Sequence, residues 1–127
     1  MPSIFYVALG GAIGASARHL LSQVVQRAHG GPFPVGTMSV NIIGSFLMGL
    51  LIGWLALKVS GGEDWRLFMG VGLLGGFTTF SAFSLDAIVL FERKAYGALM
   101  TYVSVSVLAS ITALFLGLFL MRKLGAS

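Results

Sequence analysis

Apolar residues fall in long blocks along this chain, and polar residues fall in short ones between them. A membrane helix needs about 20 mostly apolar residues, and four segments qualify. The first runs from about Ile4 to Val25 and is interrupted by Arg18. The second runs from about Val35 to Leu57 with no charge. The third runs from about Leu67 to Phe91 and holds one acid, Asp86. The fourth runs from about Ala95 to Met121 with no charge. Between them lie the breaker cluster Gly30-Gly31-Pro32-Phe33-Pro34, the polar turn Ser60-Gly61-Gly62-Glu63-Asp64 and the charged turn Glu92-Arg93-Lys94. Connections this short make sequential spans antiparallel. The pattern predicts an all-α membrane protein of four transmembrane helices, with residues 1–127 forming a single transmembrane domain.

Composition strengthens this reading. Of 127 residues, 57% are hydrophobic and 9% charged, against roughly 25% charged in a soluble domain. A soluble chain this short leaves much of its surface in water; lipid as solvent removes the conflict. The absence of cysteine excludes disulfides and thiolate metal sites. The net charge of +4 rests on eight basic residues, nearly all at the ends of apolar stretches. That is a membrane-anchoring pattern and not a nucleic-acid patch. The first basic residue is Arg18, so the N-terminus is expected to be a span and not a cleaved signal peptide. Four spans are too few to enclose a transport path, which predicts an oligomer.

Charge also bears on orientation. With four spans, both termini share a side with the second loop, and that side carries Lys58, Arg66, Arg122 and Lys123. The other side carries Arg27, Arg93 and Lys94, with Arg18 inside or near the first span. The positive-inside rule gives almost no instruction from such a balance. Insertion in both orientations, with antiparallel pairing, is the expectation; one extra charge fixing a single orientation is the alternative.

Chemistry concentrates in three spans. The third contains Gly72-Leu73-Leu74-Gly75-Gly76-Phe77-Thr78-Thr79-Phe80-Ser81-Ala82-Phe83-Ser84. Paired glycines and paired threonines are poor helix formers, and irregular backbone at membrane depth survives only when buried in protein or lining a cavity. The segment predicts a helix break near Gly75 to Thr79, whose freed carbonyls suit a cation, or else a continuous helix packed through its glycines. Phe77, Phe80 and Phe83 recur at three-residue spacing, with Phe80 and Phe83 on nearly one face, and aromatic edges are positive and suit an anion; ordinary lipid-facing or core phenylalanine is the alternative, and interleaving with Thr79, Ser81 and Ser84 weighs against it. Asn41, deep in the second span, needs a partner, either another helix or a polar solute. Tyr102, Ser106 and Ser110 put hydroxyls at four-residue spacing on the fourth span, available to an anion or to their own helix carbonyls. Gly10/Gly14, Gly49/Gly53 and Gly72/Gly76 have the spacing of close helix approach in lipid. Arg18 has three readings: snorkelling, an anion entrance, or a cap on the bundle. Asp86 is placed to pair with it or with a loop base. His19 and His29 lack further ligands at metal spacing. No nucleophile–base pair and no phosphate loop is visible, which argues against an enzyme.

These stretches together resemble the Fluc (CrcB) family of fluoride channels. The resemblance rests on Gly10-Gly11-Ala12-Ile13-Gly14-Ala15 with Arg18, on Gly36-Thr37 with Val40-Asn41 and Gly44, and above all on Gly75 to Ser84. Ala82 stands where the family usually has threonine. The resemblance implies an antiparallel, dual-topology homodimer in a bacterial inner membrane, exporting fluoride passively through two pores. It implies a central structural sodium ion held by main-chain carbonyls at third-span breaks, which map onto Gly75 and Thr78. The family's phenylalanine pair maps onto Phe80 and Phe83, its pore asparagine onto Asn41, and its polar track onto Tyr102, Ser106 and Ser110. The neighbouring hydroxyls Thr79 and Ser81 join that fluoride pathway. Its first-span basic residue maps onto Arg18, an entrance or structural charge. The next track position, often threonine, is Leu114, and Thr112 lies on another face.

Two other classes fit the architecture. A small proton-coupled multidrug exporter also has four spans, but it needs a membrane acid, and the first span has no Asp or Glu while Asp86 lies near a span end. A non-transporting assembly subunit is the third class, separated from the first two by flux.

Overall fold

The computed structural model describes residues 3–56 and 62–126. Leu57, Lys58 and the Ser60-Gly61 part of the predicted turn lie outside the described residues. The described elements are all helical: α1 (Ser3–His29), α2 (Val35–Ala56), α3 (Gly62–Trp65), a π-helical stretch (Arg66–Leu74), α4 (Gly75–Phe77), α5 (Phe80–Glu92) and α6 (Tyr96–Ala126). Four helical segments are long and apolar enough to cross a membrane, as the hydropathy pattern predicts: α1, α2, the third span over Arg66–Glu92, and α6. At 1.5 Å per residue, the 27 residues of α1 reach about 40 Å.

The first loop begins where Gly30 takes φ +75°, a left-handed cap that glycine allows without strain. Its N–H donates to the Gln26 carbonyl at 3.0 Å. The Gln26 side chain then ties the loop down, donating to the Gly31 and Phe33 carbonyls and accepting from the Gly36 N–H. The charged turn after α5 closes through Lys94, at φ 60°, with the Arg93, Lys94 and Ala95 N–H groups on the Val89, Phe91 and Leu90 carbonyls.

Packing follows the glycines. α2 runs along α6 in the most extensive contact, and α1 runs along the π-helical stretch and α4. A Cβ at Gly10 or Gly14 would strike the Phe68 or Leu73 carbonyl, and one at Gly76 would sit 2.8 Å from the Gly11 carbonyl. A Cβ at Gly49 would strike the Leu114 carbonyl, and one at Gly117 the Phe46 carbonyl. All three predicted glycine pairs therefore stand at close helix crossings. The π-helical stretch, where Gly75 N–H reaches back to the Gly70 carbonyl, is wider than an α-helix and lies against α1.

The interior is small; Tyr102 and Val40 are its fully buried large side chains. The outside carries Ile4, Leu20, Leu108, Ile111 and Phe115, each about two-thirds exposed. Such a surface suits lipid or another protomer and not water.

Candidate functional site

The third span bends after α4. Thr78 (φ −87°, ψ 158°) and Thr79 (φ −151°, ψ 124°) are both extended. The paired glycines, the weaker helix formers on propensity, remain helical; Gly75 has φ −63° and ψ −37°. The bend falls on the threonines because side chains there replace the lost backbone bonds. Asn41, on α2, grips both sides of one residue: Thr79 N–H donates to Asn41 Oδ1 at 2.7 Å, and Asn41 Nδ2 donates to the Thr79 carbonyl at 2.9 Å. The Thr79 hydroxyl accepts from Ala82 N–H at 3.1 Å and so caps α5. Thr78 folds its hydroxyl back to the Leu74 carbonyl at 3.0 Å.

The bend leaves specific carbonyls without their helical donors. In a continuous α-helix, Thr79 N–H would serve Gly75 and Ala82 N–H would serve Thr78. Both donors go instead to side-chain oxygens, those of Asn41 and Thr79. The Gly76 carbonyl, one residue on from Gly75, accepts from Arg18 Nε at 3.2 Å. Arg18 is thus a cap on the bend, tying α1 to the third span. Gly75 and Thr78 are two of the carbonyls that the bend releases, and hard cations take oxygen ligands. The donor chemistry fits the cation expected there.

Beside the bend lies a cleft of about 280 Å³, lined by Asn41, Ser45, Thr78, Thr79, Phe80, Phe83, Ser106, Val107, Ser110 and Ile111. None of these carries a formal charge. The Ser106 and Ser110 hydroxyl oxygens are buried and have no protein partner among the described residues. An unpaired buried polar group costs about 1–3 kcal/mol, so the pair marks a place built for a polar occupant. Phe80 is 78% exposed, so one wall of the cleft is open on the single chain.

A column of rings leads away from the cleft. Phe80 and Phe83 lie 5.6 Å apart, Phe83 and Tyr102 5.2 Å apart, and Tyr102 and Phe33 5.8 Å apart edge to face. Tyr102 donates to Asp86 Oδ2 at 3.1 Å. That pairing differs from the expected partners of Asp86, Arg18 or a loop base: Arg18 is held at Gly76, and Asp86 faces α6. Asp86 lines a second cavity of about 270 Å³ with Gln26, Pro32, Pro34, Thr37, Val89, Leu90 and Arg93.

The cleft therefore gathers Asn41, Thr79, Phe80, Phe83, Ser106 and Ser110, with Thr78 at its edge. Ser81 and Tyr102 are not among its lining residues. Ser81 is exposed and shares a hydrogen bond with the Thr79 hydroxyl at 3.2 Å. Tyr102 belongs to the ring column because each four-residue step along a helix turns about 40°, carrying it off the serine face. Gly75 is exposed. Leu114 is half-buried where α6 passes Gly49, and Thr112 is exposed. Sequence reasoning passed over Ser45, one turn after Asn41, and Thr79 as a cap. A Thr directly before an apolar helical run signals the second.

Comparison with known proteins covers this whole region. The family described as CrcB-like protein, Camphor Resistance (CrcB), matches residues 5–118. The chain belongs to the CrcB family. The matched stretch contains the bend, the cleft and the ring column. CrcB relatives align from end to end. One in Chelativorans sp. (strain BNC1) is 54% identical over 98% of this chain and 99% of its own length. One in Sphingopyxis alaskensis is 52% identical over 99% of this chain and all of its own length. One in Caulobacter vibrioides (strain NA1000 / CB15N) is 47% identical over the same shares. Each is named a fluoride-specific ion channel FluC. With four candidate spans, this CrcB-family chain is a multi-pass membrane protein.

Proposed function

We propose that this chain is a fluoride-selective channel of the bacterial inner membrane that lets fluoride leave the cytoplasm passively. The observation that carries the reading is the pair of buried, unpartnered hydroxyls of Ser106 and Ser110 in a cleft without formal charge. The name borne by the full-length relatives supplies the ion. Fluoride is small and strongly hydrated, so it needs replacement hydrogen bonds along its passage. A fixed positive charge would hold it; conduction requires binding weak enough to leave. Serine hydroxyls, the second N–H of the Asn41 amide and the positive edges of Phe80 and Phe83 supply graded, neutral attraction.

The working unit in this proposal is an antiparallel homodimer with two pathways. The open wall at Phe80 supports a second protomer closing the cleft, and the balanced charges support both orientations. A reporter at the C-terminus read on one side of the membrane alone would sink the dual orientation. A central sodium ion fits the oxygens of Gly75 and Thr78, whose amide donors are diverted. It would be a structural ion that does not itself move.

A channel of this kind is not an enzyme, and the proton-coupled exporter is disfavoured by particular contacts. The one membrane acid, Asp86, is hydrogen-bonded to Tyr102 and lies away from the cleft. The test is fluoride efflux from sodium-loaded proteoliposomes, read with a fluoride electrode. Rapid efflux is expected, and efflux no faster than from empty vesicles would refute the channel.

A further inference from the structure

We infer that Phe33 and Gln26 are positioning residues of the pathway, acting through Tyr102. This rests on the fluoride-channel reading and extends it to the first loop. Tyr102 is fully buried and is held on three sides. Its ring packs on Phe83 at 5.2 Å, its hydroxyl is bound to Asp86 at 3.1 Å, and the Phe33 ring stands edge to face against it at 5.8 Å. Tyr102 thus sits between the neutral cleft, through Phe83 and Phe80, and the polar cavity, through Asp86. A tyrosine has two free side-chain torsions, and the Asp86 bond, the Phe83 contact and the Phe33 contact restrict them together.

Phe33 comes from a loop and not from a helix, so something must fix it. Gln26 does so. Its Nε2 donates to the Phe33 carbonyl at 2.8 Å and to the Gly31 carbonyl at 3.1 Å, and its Oε1 accepts from Gly36 N–H at 2.9 Å. One side chain spans the loop from end to end, and the Phe33 carbonyl also accepts from Val35 N–H at 2.8 Å. The chain of contact is continuous: Gln26 sets Phe33, Phe33 holds Tyr102, and Tyr102 joins the two cavities. Gln26 also lines the polar cavity itself.

The test is unitary fluoride current in planar bilayers, which reads the pathway and not the amount of folded protein. Phe33→Leu is expected to lower the unitary current about threefold to tenfold, the range a lost aromatic pair allows. Phe33→Tyr keeps the ring and should stay within about twofold of wild type on the same basis. Gln26→Met keeps the volume without the hydrogen bonds and should lower the current too. The double variant Phe33→Leu with Gln26→Met should fall no further than Phe33→Leu alone, because residues on one route are not additive. Wild-type unitary current in Phe33→Leu, or losses that multiply in the double variant, overturns the inference. If Phe33→Leu does not assemble, Phe33→Met and Gln26→Met carry the same reading, and full current in both overturns it. A wild-type protein without fluoride current fails the channel reading instead.

Discussion

The cleft and the polar cavity are nearly equal in size, about 280 and 270 Å³, and opposite in chemistry. The cleft holds an amide, hydroxyls and rings. The cavity holds Asp86, Arg93 and Gln26 beside the loop prolines. Among the lining residues, formal charge belongs to the polar cavity alone and is withheld from the cleft, where a low dielectric would make it a trap. In the proposed channel, an ion stripped of water in the cleft would meet dipoles it can leave.

The sharpest way to break this contrast is to charge the cleft. Asn41→Asp puts a carboxylate beside the two serines and removes the Nδ2 donor that holds the Thr79 carbonyl. Fluoride flux should fall about 100-fold or more, about 2.7 kcal/mol of barrier, and near-normal flux would end the claim that neutrality matters. Next comes the loss of donors. Ser106→Ala with Ser110→Ala removes two hydrogen bonds to the ion at about 1 kcal/mol each. Flux should drop about thirtyfold, while size-exclusion chromatography shows the assembled protein unchanged; full flux would remove the hydroxyls from the pathway. The smallest effect belongs to the polar cavity. Asp86→Asn keeps an acceptor for Tyr102 and removes a charge that does not line the cleft. Flux should change about twofold or less, and a tenfold change would show that the two regions are not divided as described.

The helices and their crossings were legible because their signals are local. Hydropathy marks the spans, and Gly10, Gly14, Gly49 and Gly72 stand where a Cβ would strike neighbouring backbone. The position of the bend was less legible. Propensity marked only the range Gly75 to Thr79, and within it the extended residues are Thr78 and Thr79. The clamp that decides this, Asn41, is 38 residues away in sequence, and no local pattern reports it. The hydroxyl stripe divides for a similar reason. Ser106 and Ser110 face the cleft, whereas helix rotation and the pull of Asp86, 16 residues away, take Tyr102 into the ring column. Arg18 was recognisable as an unusual charge, but its partner, the Gly76 carbonyl, exists only because the bend releases it.

The division between neutral cleft and charged cavity leads to one claim above the rest: the cleft passes a small anion that hydrogen-bonds strongly and rejects larger ones. Fluoride and chloride efflux measured from the same wild-type proteoliposomes test it most directly. The account predicts rapid fluoride loss with chloride at the rate of empty vesicles. Chloride leaving as fast as fluoride would contradict it.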